Sequence, residues 1–309
     1  MTLVSDNVFP LLRYFAADNI CSAEVAALFS TRNGGVSGLA PGEEHYKSLN
    51  FQFFLEGDGD GNVAENYRII ASSQGFRAED VVSLHQKHTD RIIAVDEPMA
   101  AAHGLSAAEA SNNQNPSPTD RSPLTTDRLR TGAASIQCLN EEADALVTDL
   151  KGILLSVRTA DCVPVLLYDG VKKAVAAVHS GWRGTYQQIG IKTVKRMTKL
   201  YGTDPADIKA AIGPAIGGCC YEVDMDFHER FRSEFGNAID KFFSNGSGGK
   251  PYCNLSAMNK SFLIAAGIPE QSIDISGLCT MCNPGLFYSH RRSGFKRGSM
   301  AAFIGMRDN

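Results

Sequence analysis

Three apolar runs, 153–157, 163–168 and 174–178, follow one another with only Thr159-Ala160-Asp161-Cys162 and the Asp169-Gly170 turn between them. Each is too short for a helix, so the three read as neighbouring strands. A helix is expected over 185–201, with Tyr186, Ile189, Thr193, Met197 and Leu200 on one face and Gly202 at the stop position. A strand at 208–212 and helices at 225–235 and 256–266 follow, the last ending at Gly267. Nearer the N-terminus, a strand at 25–30 enters the polar turn Thr31-Arg32-Asn33-Gly34-Gly35, and 64–73 has helical spacing. Residues 81–84 and 91–95 read as a hairpin around His88-Thr89-Asp90. Strands and helices mix without β-α-β alternation, which favours an α+β layered architecture over a doubly wound sheet.

From 98 to 138 the chain turns to Ala, Ser, Asn, Thr and Pro with almost no large apolar residue. Such a stretch cannot bury enough surface to offset the entropy of ordering, and it reads as a flexible insertion. Segments rich in reactive side chains lie on both sides of it and need to meet, so residues 1–309 are expected to form a single domain.

Composition narrows the function classes. A formal charge of −4 offers no basic surface for nucleic acid. No run approaches the roughly 18–20 apolar residues of a spanning helix, and the first residues lack the pattern of a signal peptide. The expected location is cytoplasmic. Eight cysteines in a chain of this length without a signal peptide are expected to be reduced thiols available for metal binding or catalysis.

His179 ends the third apolar run just before Ser180-Gly181-Trp182-Arg183-Gly184, and Cys162 sits at the junction of the first two. The two can face one another. Of His85 and His88, which point to opposite faces if both lie on a strand, His88 is nearer the turn. One thiolate with two imidazoles is a donor set zinc prefers, and three protein ligands with a free fourth position mark catalytic rather than structural sites. Spacing alone leaves each of these residues open to a structural reading. The Gly181-Trp182-Arg183-Gly184 segment, at the start of the expected helix, offers backbone amides and a guanidinium to an anion. Arg32, Arg291 and Arg292 are further candidates for holding phosphate or carboxylate, although arginines near turns are commonly just solvated. The glycine-rich stretch 213–222 either lets backbone approach a ligand or bends a sheet. Cys279-x-x-Cys282 has the spacing of half a zinc site, but no second pair follows at the distance of a zinc ribbon.

Taken together, these segments resemble the laccase-domain proteins, once called multicopper polyphenol oxidases and now regarded as purine nucleoside phosphorylases, a family also known for peptidoglycan editing. The resemblance rests on the motifs at 29–37, 48–50, 65–66, 86–88, 143–145, 159–164, 178–184, 213–214, 219–222 and 289–292. It implies a four-layer α/β/β/α sandwich with zinc held by His88, Cys162 and His179. It also implies phosphorolysis of adenosine, inosine, guanosine and methylthioadenosine, together with deamination of adenosine. The expected partners are thus a nucleoside and inorganic phosphate. Catalytic roles are expected for Cys162, Asp161 and Arg183, with Asp161 moving a proton, and substrate positioning for Arg32, Asn50 and Arg183. Departures from the family pattern are the length of 98–138, Asn254 in place of a common aspartate, and His290 in place of a usual tyrosine.

Four rivals bear on the same residues. A multicopper oxidase needs clusters of paired histidines, and with seven histidines and no His-x-His it is disfavoured. A cysteine hydrolase would use Cys162 as nucleophile and His179 as base. A non-catalytic zinc-stabilised binding protein predicts a closed fourth ligand from Cys219 or Cys220. A peptidoglycan-precursor editing hydrolase would direct the same centre at an amide.

Overall fold

Strands buried on both faces need cover on both sides. In the computed structural model, which describes residues 1–39, 42, 44–53, 58–103, 105, 126–128 and 137–308, two mixed sheets supply that cover for each other. Strands β1 (Thr2–Ser5), β2 (Arg13–Ala16), β3 (Val25–Ser30) and β4 (Val81–His85) enter an eight-stranded sheet, and β5 (Ile92–Ala94) enters a six-stranded one. The chain returns to the first with β6 (Thr126–Arg128) and β7 (Gln137–Glu142), goes to the second with β8 (Ala145–Thr148), and comes back with β9 (Leu154–Thr159). β10 (Val163–Asp169), β11 (Ala174–Ser180) and β12 (Ile208–Ile212) then build the second sheet. β13 (Phe243–Asn245) and β14 (Pro251–Cys253) make a separate ribbon, β15 (Ile273–Ile275) closes the second sheet, and β16 (Met300–Met306) inserts between β3 and β9. The orders are β1-β2-β3-β16-β9-β4-β7-β6 and β15-β12-β10-β11-β8-β5.

Every residue of β9, β10, β11 and β16 is buried, as the uninterrupted apolar runs require. Phe29, Val157, Leu166, Val175 and Ala302 share the core between the sheets. Helix α1 (Asp60–Ser73) covers the outer face of the large sheet, packing Tyr67 and Ile70 against Leu28 and Phe303. On the far side, α4 (Ile189–Tyr201), α5 (Met225–Phe235) and α6 (Leu255–Ala265) cover the small sheet, with Val194, Phe231 and Leu263 meeting Val165 and Val178. The layers therefore run α/β/β/α. Asn254 caps α6 by accepting from Ala257 N at 3.0 Å, a task asparagine performs as well as aspartate.

Three local expectations are corrected. Residues 81–84 and 91–95 are not a hairpin: β4 pairs in parallel with β7 and β9, while β5 pairs in parallel with β8 in the other sheet. The connection between them is longer than a hairpin turn and leaves the sheet altogether. The three apolar runs are not all neighbours either, because β10 and β11 pair directly but β9 lies in the opposite sheet. Third, the helix at 185–201 is two helices, α3 (Trp182–Tyr186) and α4, broken at Gln188 with φ 57° and ψ 42°. Thr185, at the end of α3, is bonded to Asn259 Nδ2 of α6 at 2.9 Å, holding that short turn away from the line of α4. Gly202, in the left-handed conformation at φ 69°, ends α4 where expected. Of the stretch 98–138, most of α2 (Glu97–His103), Leu105, all of β6 and the start of β7 lie among the described residues; the rest of the expected insertion lies outside them.

Phe303 on β16 sits edge-on to Phe51 at 5.3 Å and to Tyr67 at 5.9 Å, fully buried. Replacing it by alanine is expected to destabilise the fold by about 3–5 kcal/mol, read as a lowered urea midpoint with an unchanged slope.

Candidate metal centre

Three of the connections that cross between the sheets meet at one end of the sandwich. The β4–β5 link carries His88, the β7–β8 link carries Asp144, and the β9–β10 turn carries Asp161 and Cys162; β11 brings His179 alongside. His88 Nε2 lies 3.6 Å from Cys162 Sγ, and the two imidazole rings stand 5.0 Å apart at 73°. One donor atom from each of His88, Cys162 and His179 falls within 4.8 Å of the others. Nitrogen and sulfur ligands at zinc-like bond lengths around a tetrahedral ion would be roughly 3.5 Å apart, so this set fits a soft divalent metal. Among the described residues no fourth Cys, His, Asp or Glu joins the group, so the closed fourth ligand expected of a purely structural site is missing.

Asp144 organises the centre. It is fully buried, and its Oδ1 lies 2.7 Å from His179 Nδ1. Its Oδ2 accepts from Thr89 N at 2.6 Å, Thr89 Oγ1 at 2.9 Å and Lys87 N at 3.3 Å. One carboxylate thereby fixes the ring of one ligand and the loop on either side of another. Gln86 pins the same loop to β9, its amide exchanging hydrogen bonds with both backbone groups of Arg158 at 2.7 and 2.8 Å. His88 itself takes a left-handed φ of 59°, and Asp161 a φ of 90°, conformations that persist where the surroundings impose them. Gly181 is obligatory: a Cβ there would stand 2.7 Å from His88 Cδ2 and 3.0 Å from Cys162 Sγ. Asp144 lies within a quoted motif, but nothing in its neighbours announces a buried carboxylate, and sequence reasoning gave it no role.

The other expected residues divide. Asp161 accepts from Thr280 Oγ1 at 2.5 Å, Ser289 Oγ at 3.0 Å and Arg291 N at 2.6 Å, so its carboxylate holds the 280–291 segment. Asn50 is fully buried, accepting from Gln52 N and Ser299 N, both at 2.9 Å, and donating to Asp58 at 2.6 Å. It too braces loops, with no polar atom left for a substrate. Arg32 donates to Lys47 O and Pro284 O and lies 4.6 Å over the Tyr288 ring. Arg183 is exposed, 4.5 Å over Trp182, immediately after Gly181. Since α3 is a single turn, Arg183's own charge and not a long helix dipole is what an anion would meet there. Arg292 is committed to the carbonyls of Met281 and Phe287, and Arg291 to that of Glu222. His85 is exposed at the end of β4, outside the group. Arg297 escaped notice in the sequence; its guanidinium is half-buried, and that burial lowers its pKa although Asp161 and Cys162 act the other way.

Without metal, Cys162 and His179 perturb one another. Burial opposes charge on both, yet His179 and His88 draw the Cys162 thiol down to about 6, while Cys162 and Asp144 raise His179 to about 9. A depressed thiol is a thiolate above its folded pKa, and a raised imidazole is charged below its own. The pair is thus ionic between about 6 and 9. Metal-free protein should therefore alkylate at Cys162 with iodoacetamide until pH falls through about 6. In His179→Asn the midpoint should move up toward the ordinary thiol range; an unmoved midpoint refutes the coupling. Asp144→Asn should weaken metal binding about 10–100-fold with the fold retained, as measured by competition with a chelator.

The stretch 213–222 meets this centre through Ile216, whose N donates to Asp161 O at 2.9 Å. A Cβ at Gly213 would stand 2.2 Å from the Phe29 ring, so the glycine serves sheet packing and not a ligand.

Comparison with known proteins places the chain. A family model described as multi-copper polyphenol oxidoreductase laccase matches residues 26–307. The chain is 33% identical over 298 residues to purine nucleoside phosphorylase YlmD of Bacillus subtilis (strain 168), covering 96% of this chain and 94% of that one. It is 32% identical over 277 residues to adenosine deaminase RL5 from an unknown prokaryotic organism, covering 90% and 92%. Among solved structures, the Bacillus licheniformis hypothetical protein YfiH superposes with a TM-score of 0.76 at 31% identity, covering 99% of each chain. No helix among the described residues is long and apolar enough to cross a membrane. The chain belongs to the multi-copper polyphenol oxidoreductase laccase family.

Proposed function

We propose that this protein is a zinc-dependent purine nucleoside phosphorylase that also deaminates adenosine. The observation that carries the reading is the open three-ligand group of His88, Cys162 and His179, oriented by the 2.7 Å contact from Asp144 and bordered by the exposed Arg183. The names of the relatives, one a purine nucleoside phosphorylase and one an adenosine deaminase, support the same substrate class. Zinc held by His88, Cys162 and His179 would supply Lewis acidity, easing ionisation of water and stabilising negative charge that develops on substrate.

The chain's own residues do the rest. Asp144 holds His179 in the tautomer with Nδ1–H toward the carboxylate, so that Nε2 faces the centre. Trp182 and Tyr221 offer aromatic surface to a purine beside the ligands, and Arg183 and Arg291 lie over those two rings at 4.5 and 5.2 Å. Arg183 holds phosphate against the sugar, so that a phosphate oxygen bonds C1′ as the bond from C1′ to the base nitrogen breaks. In deamination, water adds to C6 of adenosine and ammonia leaves. Asp161, Asn50 and Arg32 keep the surrounding loops in place.

A second reading rests on the same group: Asp144 Oδ1 lies 2.7 Å from His179 Nδ1, and donor atoms of His179 and Cys162 fall within 4.8 Å of each other, as a thiol nucleophile and an oriented base would. Metal separates the two. Adenosine incubated with zinc-loaded protein should give adenine and ribose 1-phosphate only with phosphate, and inosine without it. Chelation should abolish both and zinc should restore both. Cys162→Ala should lose more than the roughly 100-fold that removing an outer partner costs, with Arg183→Ala raising the KM for phosphate. Turnover that persists in metal-free protein would shift the assignment to the nucleophile, and zinc without turnover of any nucleoside would overturn the phosphorylase.

A further inference from the structure

Four more cysteines converge about a different point. Cys219 and Cys220 lie in a tight turn in which the amides of Cys220 and Tyr221 both reach Gly217 O, at 2.9 and 3.0 Å. Cys279 and Cys282 lie in the loop after β15. Donor atoms of all four fall within 4.8 Å of one another, with Cys282 Sγ 3.4 Å from Cys220 Sγ and 3.7 Å from Cys219 Sγ. Four sulfurs around a tetrahedral zinc-like ion stand roughly 3.8 Å apart. The sequence offered only half of this: the partner of Cys279-x-x-Cys282 is a vicinal pair some sixty residues earlier, not a second spaced pair after it.

The two loops are built to meet. A short parallel bridge joins Ala215 to Cys279, and Thr280 N donates to Ala215 O at 3.0 Å. Gly217 sits where a Cβ would stand 3.1 Å from Cys219 Sγ and 3.2 Å from Cys279 Cβ, so glycine lets the sulfurs close. Cys279 Sγ accepts from Gly217 N at 3.3 Å and also from the Cys282 backbone, the kind of N–H to sulfur support a thiolate uses. Asn283 Nδ2 holds Cys279 O at 2.8 Å, and Arg292 holds Met281 O at 3.0 Å.

We propose that Cys219, Cys220, Cys279 and Cys282 bind one soft divalent cation of the zinc type, in a second site separate from His88, Cys162 and His179. A tetrahedral all-sulfur set is closed, so the ion is structural and not catalytic. Cys219 and Cys282 are exposed, which gives the metal a way in, and binding displaces the thiol protons to solvent. The ion ties together the two loops that hold the Asp161 turn: Ile216 N donates to Asp161 O at 2.9 Å, and Thr280 Oγ1 to its carboxylate at 2.5 Å. The proposal does not depend on which substrate the first centre serves.

The test is metal content of full-length protein purified with reductant, for wild type, Cys282→Ser, Cys219→Ser and Cys162→Ala. Wild type should carry about two zinc ions per chain and each variant about one. Both serine variants change exposed positions, so folding survives, as checked by circular dichroism. With cobalt in place of zinc, Cys162→Ala should keep the intense charge-transfer absorption of a multi-thiolate ion and Cys282→Ser should lose it. Wild type holding no more metal than Cys282→Ser would overturn the site. So would peptide mapping that finds Cys282 in a disulfide with Cys219 or Cys220 in protein prepared anaerobically with zinc present.

Discussion

The buried Asp144 carboxylate is the interaction on which the rest of the site depends. An ionised carboxylate removed from water is unfavourable by several kcal/mol unless its oxygens are fully bonded, and here His179, both donors of Thr89 and the Lys87 amide bond them. Burial raises its pKa, but His179 and Thr89 outweigh that and hold it below the ordinary carboxylate value. These partners are the candidate ligand His179 and the residues flanking the candidate ligand His88. Satisfying one charge therefore sets the orientation of one imidazole and the path of the loop that carries the other.

That arrangement is possible because the chain changes sheets where it does. The core between the sheets is dominated by apolar side chains, among them Leu155, Val157, Leu166, Val175, Ala177, Ala302 and Ile304 of β9, β10, β11 and β16. Chemistry is therefore confined to the ends, where crossing connections leave one sheet and enter the other. Three such connections reach the same end and bring His88, Asp144 and Cys162 together from positions far apart in sequence. Rigid layers hold short loops, and short loops hold side chains closely, as a metal centre requires.

Much of this was legible in the sequence, for physical reasons that also explain what was not. Long apolar runs and a glycine after a periodic segment mark strands and helix ends locally, so β9 to β12, α1, α5, α6 and the stop at Gly202 followed from pattern. The three metal-type ligands stood at strand ends beside turns. Period-two patterning says which face is buried but not which strand is the partner, and so β4 and β5 were joined wrongly. The break at Gln188 depends on a contact from Asn259 on another helix, and no local rule contains it. Buried carboxylates and sulfur clusters assembled across sixty residues likewise exist only in the folded chain. Asn50 and Asp161 sat in recognisable motifs, but the loops their side chains bond are visible only in the fold.

Asp144 and Asp161 act on the three candidate ligands in different ways. Asp144 touches the His179 ring directly, so it sets both the position and the basicity of that imidazole. Asp161 precedes Cys162 in the chain, and among the described residues its carboxylate is bonded by Thr280, Ser289 and Arg291. Its influence on the thiolate is through the path of the turn, held at a φ of 90°. The histidine side of the centre is therefore governed by electrostatics inside a buried network. The cysteine side is governed by how firmly two loops, each carrying two of the four clustered thiols, are held against the β9–β10 crossing.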